Sequence, residues 1–233
     1  MSTAEDVRRA LAVVSSAEGA AGAARFFKSG AGEYGEGDVF IGVSMPDARK
    51  VAKRFVDLAE PDLDELLWSE VHEHRMAALL IMTMQPLSSR LVDDYLAAAH
   101  AERVNNWDLV DASAEYILGR WLLDKPRNKL FSLAKSDLIW ERRIAIVSTL
   151  HLLRNGDDST TLELAEKLVR EKHDLIQKAV GWLLRETGKR VSREHLIEFL
   201  DRNAGRMPRT MLSYATEHLE PEVRLHYRQV ARS

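Results

Sequence analysis

The chain contains no cysteine. That excludes disulfides, thiolate metal sites and cysteine nucleophiles, and it fits a reducing compartment. Long apolar runs are missing as well. None approaches the ~18 residues that a membrane-spanning helix requires, and the charged opening Met-Ser-Thr-Ala-Glu-Asp-Val-Arg-Arg has no apolar signal-peptide core. The expectation is a cytoplasmic protein of a bacterial-type cytosol with no membrane partner. Runs of alternating β-branched residues are also absent, which argues against a sheet.

Several catalytic signatures are lacking. There is no Gly-x-Ser-x-Gly elbow and no His-Glu-x-x-His. His72 and His74 fall on different faces of a helix and make a weak metal pair, so no metal site is expected. The glycine-rich stretch 30–38 is not a phosphate loop, because no Gly-Lys-Ser/Thr follows it and no strand precedes it. A strong charge of one sign is missing too: the net charge is −3. Its distribution is uneven. Residues 139–233 hold 17 Lys+Arg and 14 Asp+Glu, leaving 16 and 22 for residues 1–138, a net of +3 against −6. Any anion-binding face therefore belongs toward the C-terminal half.

What is present is helix. Apolar periodicity places helices at 3–14 and 17–28, then at 46–59, 61–69, 70–84, 88–103, 106–123, 126–135, 138–153, 159–171, 174–188, 192–202, 206–219 and from 221 onward. Pro61, Pro86, Pro126, Pro208 and Pro221 fall at or near these boundaries. The chain reads as one all-α domain, 1–233: N-terminal helices and a glycine-rich loop over 1–45, helix pairs over 46–219, and a last helix over 220–233. Polar residues near the starts of the second helices align as Arg75, Asp111, Arg143, Lys178 and Arg209, at a loose period in the thirties. That is the mark of an α-solenoid, in which second helices line a concave face. Four of the five positions are basic, and such a face suits a phosphate backbone. The alternative is that these are ordinary snorkelling side chains at helix starts.

The stretch Asn105-Asn106-Trp107-Asp108-Leu109-Val110-Asp111 stands out. Either asparagine can cap the helix, and Asp108 suits its electropositive first turn. Asp111 lies one turn past Trp107, so indole and carboxylate share a face. Taken alone, such an aspartate is more often a structural ion-pair partner than a functional group. Of the other tryptophans, Trp68, Trp121 and Trp140 fit apolar stripes and are expected in the core. Trp182 stands between Lys178 and Arg185, a composition suited to a nucleic-acid platform.

Taken in order, Trp107-Asp108-Leu109-Val110-Asp111, Ile139-Trp140-Glu141-Arg142-Arg143-Ile144-Ala145 and Gln177-Lys178-Ala179-Val180-Gly181-Trp182-Leu183-Leu184-Arg185-Glu186 resemble the AlkD-type DNA alkylation repair glycosylases. The segment from Phe40-Ile41-Gly42-Val43 to Pro46 and Arg49 resembles that family's lead into its first repeat, and Met207-Pro208-Arg209-Thr210 its last. The resemblance implies a solenoid of HEAT-like repeats. It also implies removal of cationic alkylated purines, chiefly 7-methylguanine and 3-methyladenine, from double-stranded DNA without base flipping. By motif, Asp111 matches the catalytic carboxylate, and Trp107 and Trp182 match the aromatics that pack on the lesion nucleotide. Arg143 matches a basic residue that contacts DNA near the lesion. Beyond the resemblance, the basic residues Lys178, Arg185 and Arg209 on the same face are expected to bind phosphates. Phe26 stands where well-studied members carry tyrosine, keeping the ring and losing the hydroxyl.

The chemistry suits these residues. A purine alkylated at N7 or N3 is already a good leaving group, and its departure builds positive charge on the deoxyribose. Stabilising that charge calls for a carboxylate and electron-rich ring faces. Simple hydrolysis to an abasic site is expected, because no lysine shares a face with Trp107 and Asp111. The scheme requires no cofactor and no partner chain, and a monomer suffices. The alternative is a non-catalytic HEAT-like protein that binds unusual DNA structures.

Overall fold

The computed structural model describes residues 2–230 and divides into two compact units, Met1–Ser113 and Ala114–Ser233. Among the described residues all regular structure is helical, apart from a single parallel bridge between Val39 and Val71.

In the first unit, α1 (Ala4–Val13) starts at a capping box between Thr3 and Asp6 and buries Val7 and Leu11. Next come α2 (Ala17–Phe26), α3 (Met45–Arg54), α4 (Glu60–Leu67), α5 (His72–Met84), α6 (Ser89–His100) and α7 (Trp107–Ser113). Central to this unit is α5, which packs on α1, α3, α4 and α7 and is buried along nearly its whole length. That burial explains its weak amphipathicity, because a helix covered on most sides has no polar face to keep.

The second unit opens with a π turn over Glu115–Gly119, followed by α8 (Asn128–Leu133), α9 (Ile139–Arg154), α10 (Ser159–Lys167), α11 (Asp174–Arg190), α12 (Arg193–Asn203), α13 (Arg209–Ala215) and α14 (Pro221–Gln229). Here α9 and α11 are the central pair. They pack on each other, and α11 also contacts α10, α12 and α13.

The expected helix over 106–123 is interrupted. Ser113 Oγ donates back to Leu109 O at 2.6 Å, and Gly119 N reaches Ala114 O at 2.9 Å, five residues back. The wider turn lets Gly119 meet α9 backbone to backbone: a Cβ there would sit 2.2 Å from Ser148 O. Pro61, Pro221 and Pro46 occupy first-turn positions of their helices, where no amide partner is lost.

The second helices α5, α7, α9, α11 and α13 begin at 72, 107, 139, 174 and 209, intervals of 35, 32, 35 and 35 residues. The repeat is therefore present, but its register corrects the sequence alignment at two places. Arg75 occupies the fourth position of its helix, not the fifth. Its Nη1 donates to Ser69 O and Glu70 O, six and five residues back, at 2.9 and 3.0 Å. Arg142 makes the same two bonds to Ser136 O and Asp137 O, and Gln177 makes them to Glu171 O and Lys172 O. This position clamps the turn that enters α5, α9 and α11; in α7 and α13 it holds Val110 and Leu212. The fifth position holds Met76, Asp111, Arg143, Lys178 and Ser213, so Arg75 and Arg209 do not belong to the Asp111 set.

Trp140 is core as expected, at 2% exposure. Trp68 is not: it is 48% exposed, with the Arg103 guanidinium 6.0 Å from its ring centroid. Trp121 is half-buried beneath the Lys125 ammonium, 3.8 Å from its ring. Both rings are roofed by a cation at the edge of an apolar stripe rather than enclosed by it.

Candidate nucleic-acid interface

In the first unit the candidate residues are built around the first turn of α7. Asn106, fully buried, accepts a hydrogen bond from Trp107 N through its side-chain oxygen at 2.9 Å. Asp108 Oδ1 accepts from Leu109 N at 2.8 Å, so it does answer the orphan amides of the helix start. Its other oxygen has a second task. Oδ2 lies 2.9 Å from His72 Nε2, and His72 Nδ1 lies 3.1 Å from Asp38 Oδ2. An imidazole bracketed by two carboxylates gains more from being charged than burial costs it. Burial lowers its pKa, but the bonds and charges of Asp108 and Asp38 outweigh that and raise it to about 9. His72 is thus an imidazolium at neutral pH.

Asp38 closes the network. Its Oδ1 accepts from Arg75 Nη2 at 2.6 Å and from Asn105 Nδ2 at 2.8 Å, and Arg75 Nη2 donates to Asn105 Oδ1 at 3.0 Å. Burial opposes the charge on Asp38, yet His72, Arg75 and Asn105 together hold its carboxyl below the usual range. The end of the glycine-rich loop, the start of α5 and the start of α7 are thereby locked to one another. A further clamp fixes residues 41–43. Glu73, 4% exposed, accepts from the backbone N–H of Ile41, Gly42 and Val43 at 2.8 to 3.2 Å. Gly42 adopts φ +77°, and a Cβ there would lie 2.1 Å from Ser16 O, so only glycine fits this approach to α2.

Above this polar floor sits an aromatic cluster. Phe26, 64% exposed, meets Trp107 edge-on, with centroids 5.8 Å apart and planes at 71°. Phe27 contacts Phe26, Trp107, Phe40 and the His72 ring. A cavity of about 320 Å³ opens among Phe27, Phe40, Met45, His72, Met76 and Trp107. Trp107 and Asp111 both keep partial exposure on α7. Below α7 in the same unit, the buried Tyr95 has its hydroxyl 3.1 Å from Ser113 Oγ. Burial pushes the Tyr95 hydroxyl well above its ordinary pKa, and the negative charge of Asp111 pushes it further. The first unit therefore brings Phe26, Trp107 and Asp111 to one neighbourhood.

The remaining candidates lie in the second unit, where most are already engaged. Arg143 is 5% exposed and donates from Nη1 to Leu175 O at 2.5 Å, tying α9 to the first turn of α11. Lys178 pairs with Asp174 one turn earlier at 2.6 Å. Arg185 is held by Glu186 at 3.3 Å and by Glu217. Arg209 is exposed and donates to Arg228 O at 2.6 Å. Trp182 keeps partial exposure on α11. Beside it, Gly181 lets α13 approach closely, since a Cβ there would lie 2.5 Å from Met211 O.

The sequence singles out His72 and Arg75 but in other roles, and it does not show that they join Asp38 in a charged floor beside Glu73. One signal was available. Four polar residues, His72 to Arg75, open a helix whose remainder is apolar apart from Thr83, and buried polar groups require partners. No group of three or more potential metal-ligating side chains occurs among the described residues. No described helix is long and apolar enough to cross a membrane.

Comparisons with known proteins agree with this picture. The family described as DNA alkylation repair enzyme matches residues 7–219. A solved structure described as a predicted DNA alkylation repair enzyme from Enterococcus faecalis shares the fold with a TM-score of 0.71. The match covers 89% of this chain and 97% of that one, at 19% identity. No curated protein matches. With a family match over most of its length and an all-α architecture of repeated helix pairs, the chain belongs to the DNA alkylation repair enzyme family.

Proposed function

We propose that this protein is a DNA glycosylase that hydrolyses the N-glycosidic bond of cationic alkylated purines, 7-methylguanine and 3-methyladenine, in duplex DNA. The base is not flipped, and an abasic site remains. The observation that carries this reading is the pair Trp107 and Asp111: an indole and a carboxylate one turn apart at the partly exposed side of α7, on a helix start fixed by buried charges.

In the reaction, water adds to the anomeric carbon as the bond to the purine nitrogen breaks, the base leaves as a neutral molecule, and the proton that water sheds passes to solvent. Positive charge develops on the sugar. Ionised Asp111 stabilises that charge and orients the attacking water. Trp107 offers its ring face to the sugar, and Trp182 is assigned the same kind of contact. Phe26, edge-on to Trp107 and exposed, extends the aromatic surface toward the DNA. Lys178 and Arg209 are assigned phosphate contacts. Arg143 and Arg185, held by Leu175 O and by two glutamates, serve by fixing α11 and its Trp182.

The test is release of methylated purine from methylated duplex DNA by purified protein beside Asp111→Asn. Wild type releases base. The variant loses at least ~100-fold, the scale on which removing one stabilising electrostatic group acts. If wild type releases no base with protein in excess at low salt, the catalytic reading fails. DNA binding that persists there and weakens in Trp107→Ala favours the second reading, a non-catalytic DNA-structure binder. The missing hydroxyl at Phe26 is the observation on its side.

A further inference from the structure

The four cations drawn from the sequence for DNA contact, Arg143, Lys178, Arg185 and Arg209, already have protein partners, whereas other positive charge in the second unit is less firmly held. It lies in a hollow of about 630 Å³ where the turns entering α9 and α11 meet, lined by Arg142, Lys167, Arg170, Glu171, Lys172 and His173 among others.

The charges there sort cleanly. Glu171 is fully occupied. One oxygen accepts from Arg142 Nε at 2.8 Å, and the other from the backbone N–H of Lys172 and His173 at 2.8 and 3.0 Å. Arg142 is occupied as well, since its Nη1 donates to Ser136 O and Asp137 O. These two side chains cancel in charge and bolt the two turns together. Gln177 adds bonds to Glu171 O and Lys172 O at 3.0 and 3.1 Å. His173 contributes no charge: burial lowers its pKa, and its Nδ1 accepts from Leu175 N.

Three cations remain. Lys167 is held loosely, 3.6 Å from Glu163 and 5.6 Å from the Phe131 ring centroid. Arg170 and Lys172 are exposed, and among the described residues neither side chain has an ion-pair or hydrogen-bond partner. They project from a turn that Glu171, Arg142 and Gln177 hold rigid. A rim of unneutralised cations on a fixed backbone is preorganised for an anion, because less ordering entropy is lost on binding.

We propose that this hollow is an anchoring site for a backbone phosphate of duplex DNA, with Arg170 and Lys172 as its principal contacts and Lys167 as a flexible third. It contributes affinity and no sequence information. The assignment of its ligand rests on the DNA reading above. None of its lining residues is given a role there.

Arg170→Gln/Lys172→Gln tests it, through fluorescence anisotropy on an unmodified duplex over a range of salt. Wild type binds more tightly, roughly 10-fold or more near 0.1 M salt. The slope of log K against log[salt] is shallower in the double variant by roughly 1, close to the 0.9 expected for one lost phosphate contact. Arg170→Lys/Lys172→Arg keeps the wild-type slope. Base release under single turnover with saturating DNA is unchanged in the glutamine variant. Unchanged affinity and slope in that variant overturn the proposal. So does inorganic phosphate that binds wild type but not the variant while both hold DNA equally, which assigns the hollow to a free anion. The two readings fail separately. Base release without the slope difference removes the anchoring site alone, and the slope difference without base release removes the glycosylase alone.

Discussion

His72 Nε2 lies 2.9 Å from Asp108 Oδ2 in the interior of the first unit, and this contact joins the start of α5 to the start of α7. Both side chains are buried, at 3% and 9% exposure. Through it, the residue next to Trp107 is held by an imidazolium that Asp38 steadies from the other side.

Removing the charge while keeping a polar side chain is therefore expected to loosen the turn that carries Trp107 and Asp111. His72→Gln leaves Asp38 and Asp108 facing each other with one positive group fewer. Breaking a buried pair in this way costs about 3 kcal/mol, on the order of a 10 °C fall in Tm for a chain of this size. The catalytic consequence separates from the structural one. DNA affinity, which rests on many phosphate contacts, changes little, while the single-turnover rate of base release falls. Should His72→Gln not fold, Asp108→Asn removes one contact only and gives the same direction more mildly. A rate equal to wild type in a folded variant would show that the bracket does not position α7.

The same group sets a pH dependence. His72 is raised to about 9 in the folded chain against 6.5 for an ordinary histidine. Below ~6.5 the group is protonated in folded and unfolded chains alike, and its contribution is fully present. As pH climbs from there toward 9, the unfolded chain gives up its proton while the folded chain keeps it, so the contribution shrinks and is gone above that value. At ~1.4 kcal/mol per pKa unit, the window is worth roughly 3–4 kcal/mol. Urea midpoints at pH 6.5, 8 and 9.5 are expected to fall steadily for wild type, and to fall much less for His72→Gln. Parallel curves for the two proteins would rule the bracket out as the source.

Much of this architecture is written locally. Ser16, Ser44, Ser88 and Ser192 cap helices where a serine precedes an apolar-periodic run, and the prolines sit at first turns or between helices. Trp107 and Asp111 were readable as a pair because one helical turn separates them. The rest depended on distance along the chain. Asp38 meets Arg75 across 37 residues and Asn105 across 67, and no periodicity reports such pairings. The register slip at Arg75 has the same cause. Two basic residues one position apart, Arg142 and Arg143, look alike in sequence, yet one clamps its entering turn and the other reaches Leu175 O. The π turn went unseen because its signal is a close approach of Gly119 to Ser148 O, which is a tertiary fact.

Gly181 offers a direct test of how Trp182 is seated. In Gly181→Ala the new methyl group would lie 2.5 Å from Met211 O and 2.6 Å from Tyr214 Cβ. Alanine favours a helix by about 1 kcal/mol over glycine, so an open site would be stabilised. Here the clash is with backbone, which cannot rotate away, and overpacking of ~1–3 kcal/mol is expected to win. The variant should melt below wild type, with α13 displaced from α11. A higher melting temperature would mean that the two helices separate without cost.

Phe26 and Trp107 supply the last test. Their edge-to-face contact, with centroids 5.8 Å apart, involves a ring that is 64% exposed and so adds little to the core. Phe26→Ala is accordingly expected to change stability by less than ~0.5 kcal/mol, as at most surface sites. Its effect on DNA should be larger. If the phenyl ring holds the indole at the angle needed to face a sugar, Phe26→Ala and Trp107→Ala will not be additive in affinity for methylated duplex. A coupling of about 1 kcal/mol is expected, the usual size for an aromatic pair in a double-mutant cycle. Additive losses would mean that each ring meets the DNA independently. A large loss of stability in Phe26→Ala would mean that the exposed ring belongs to the core after all.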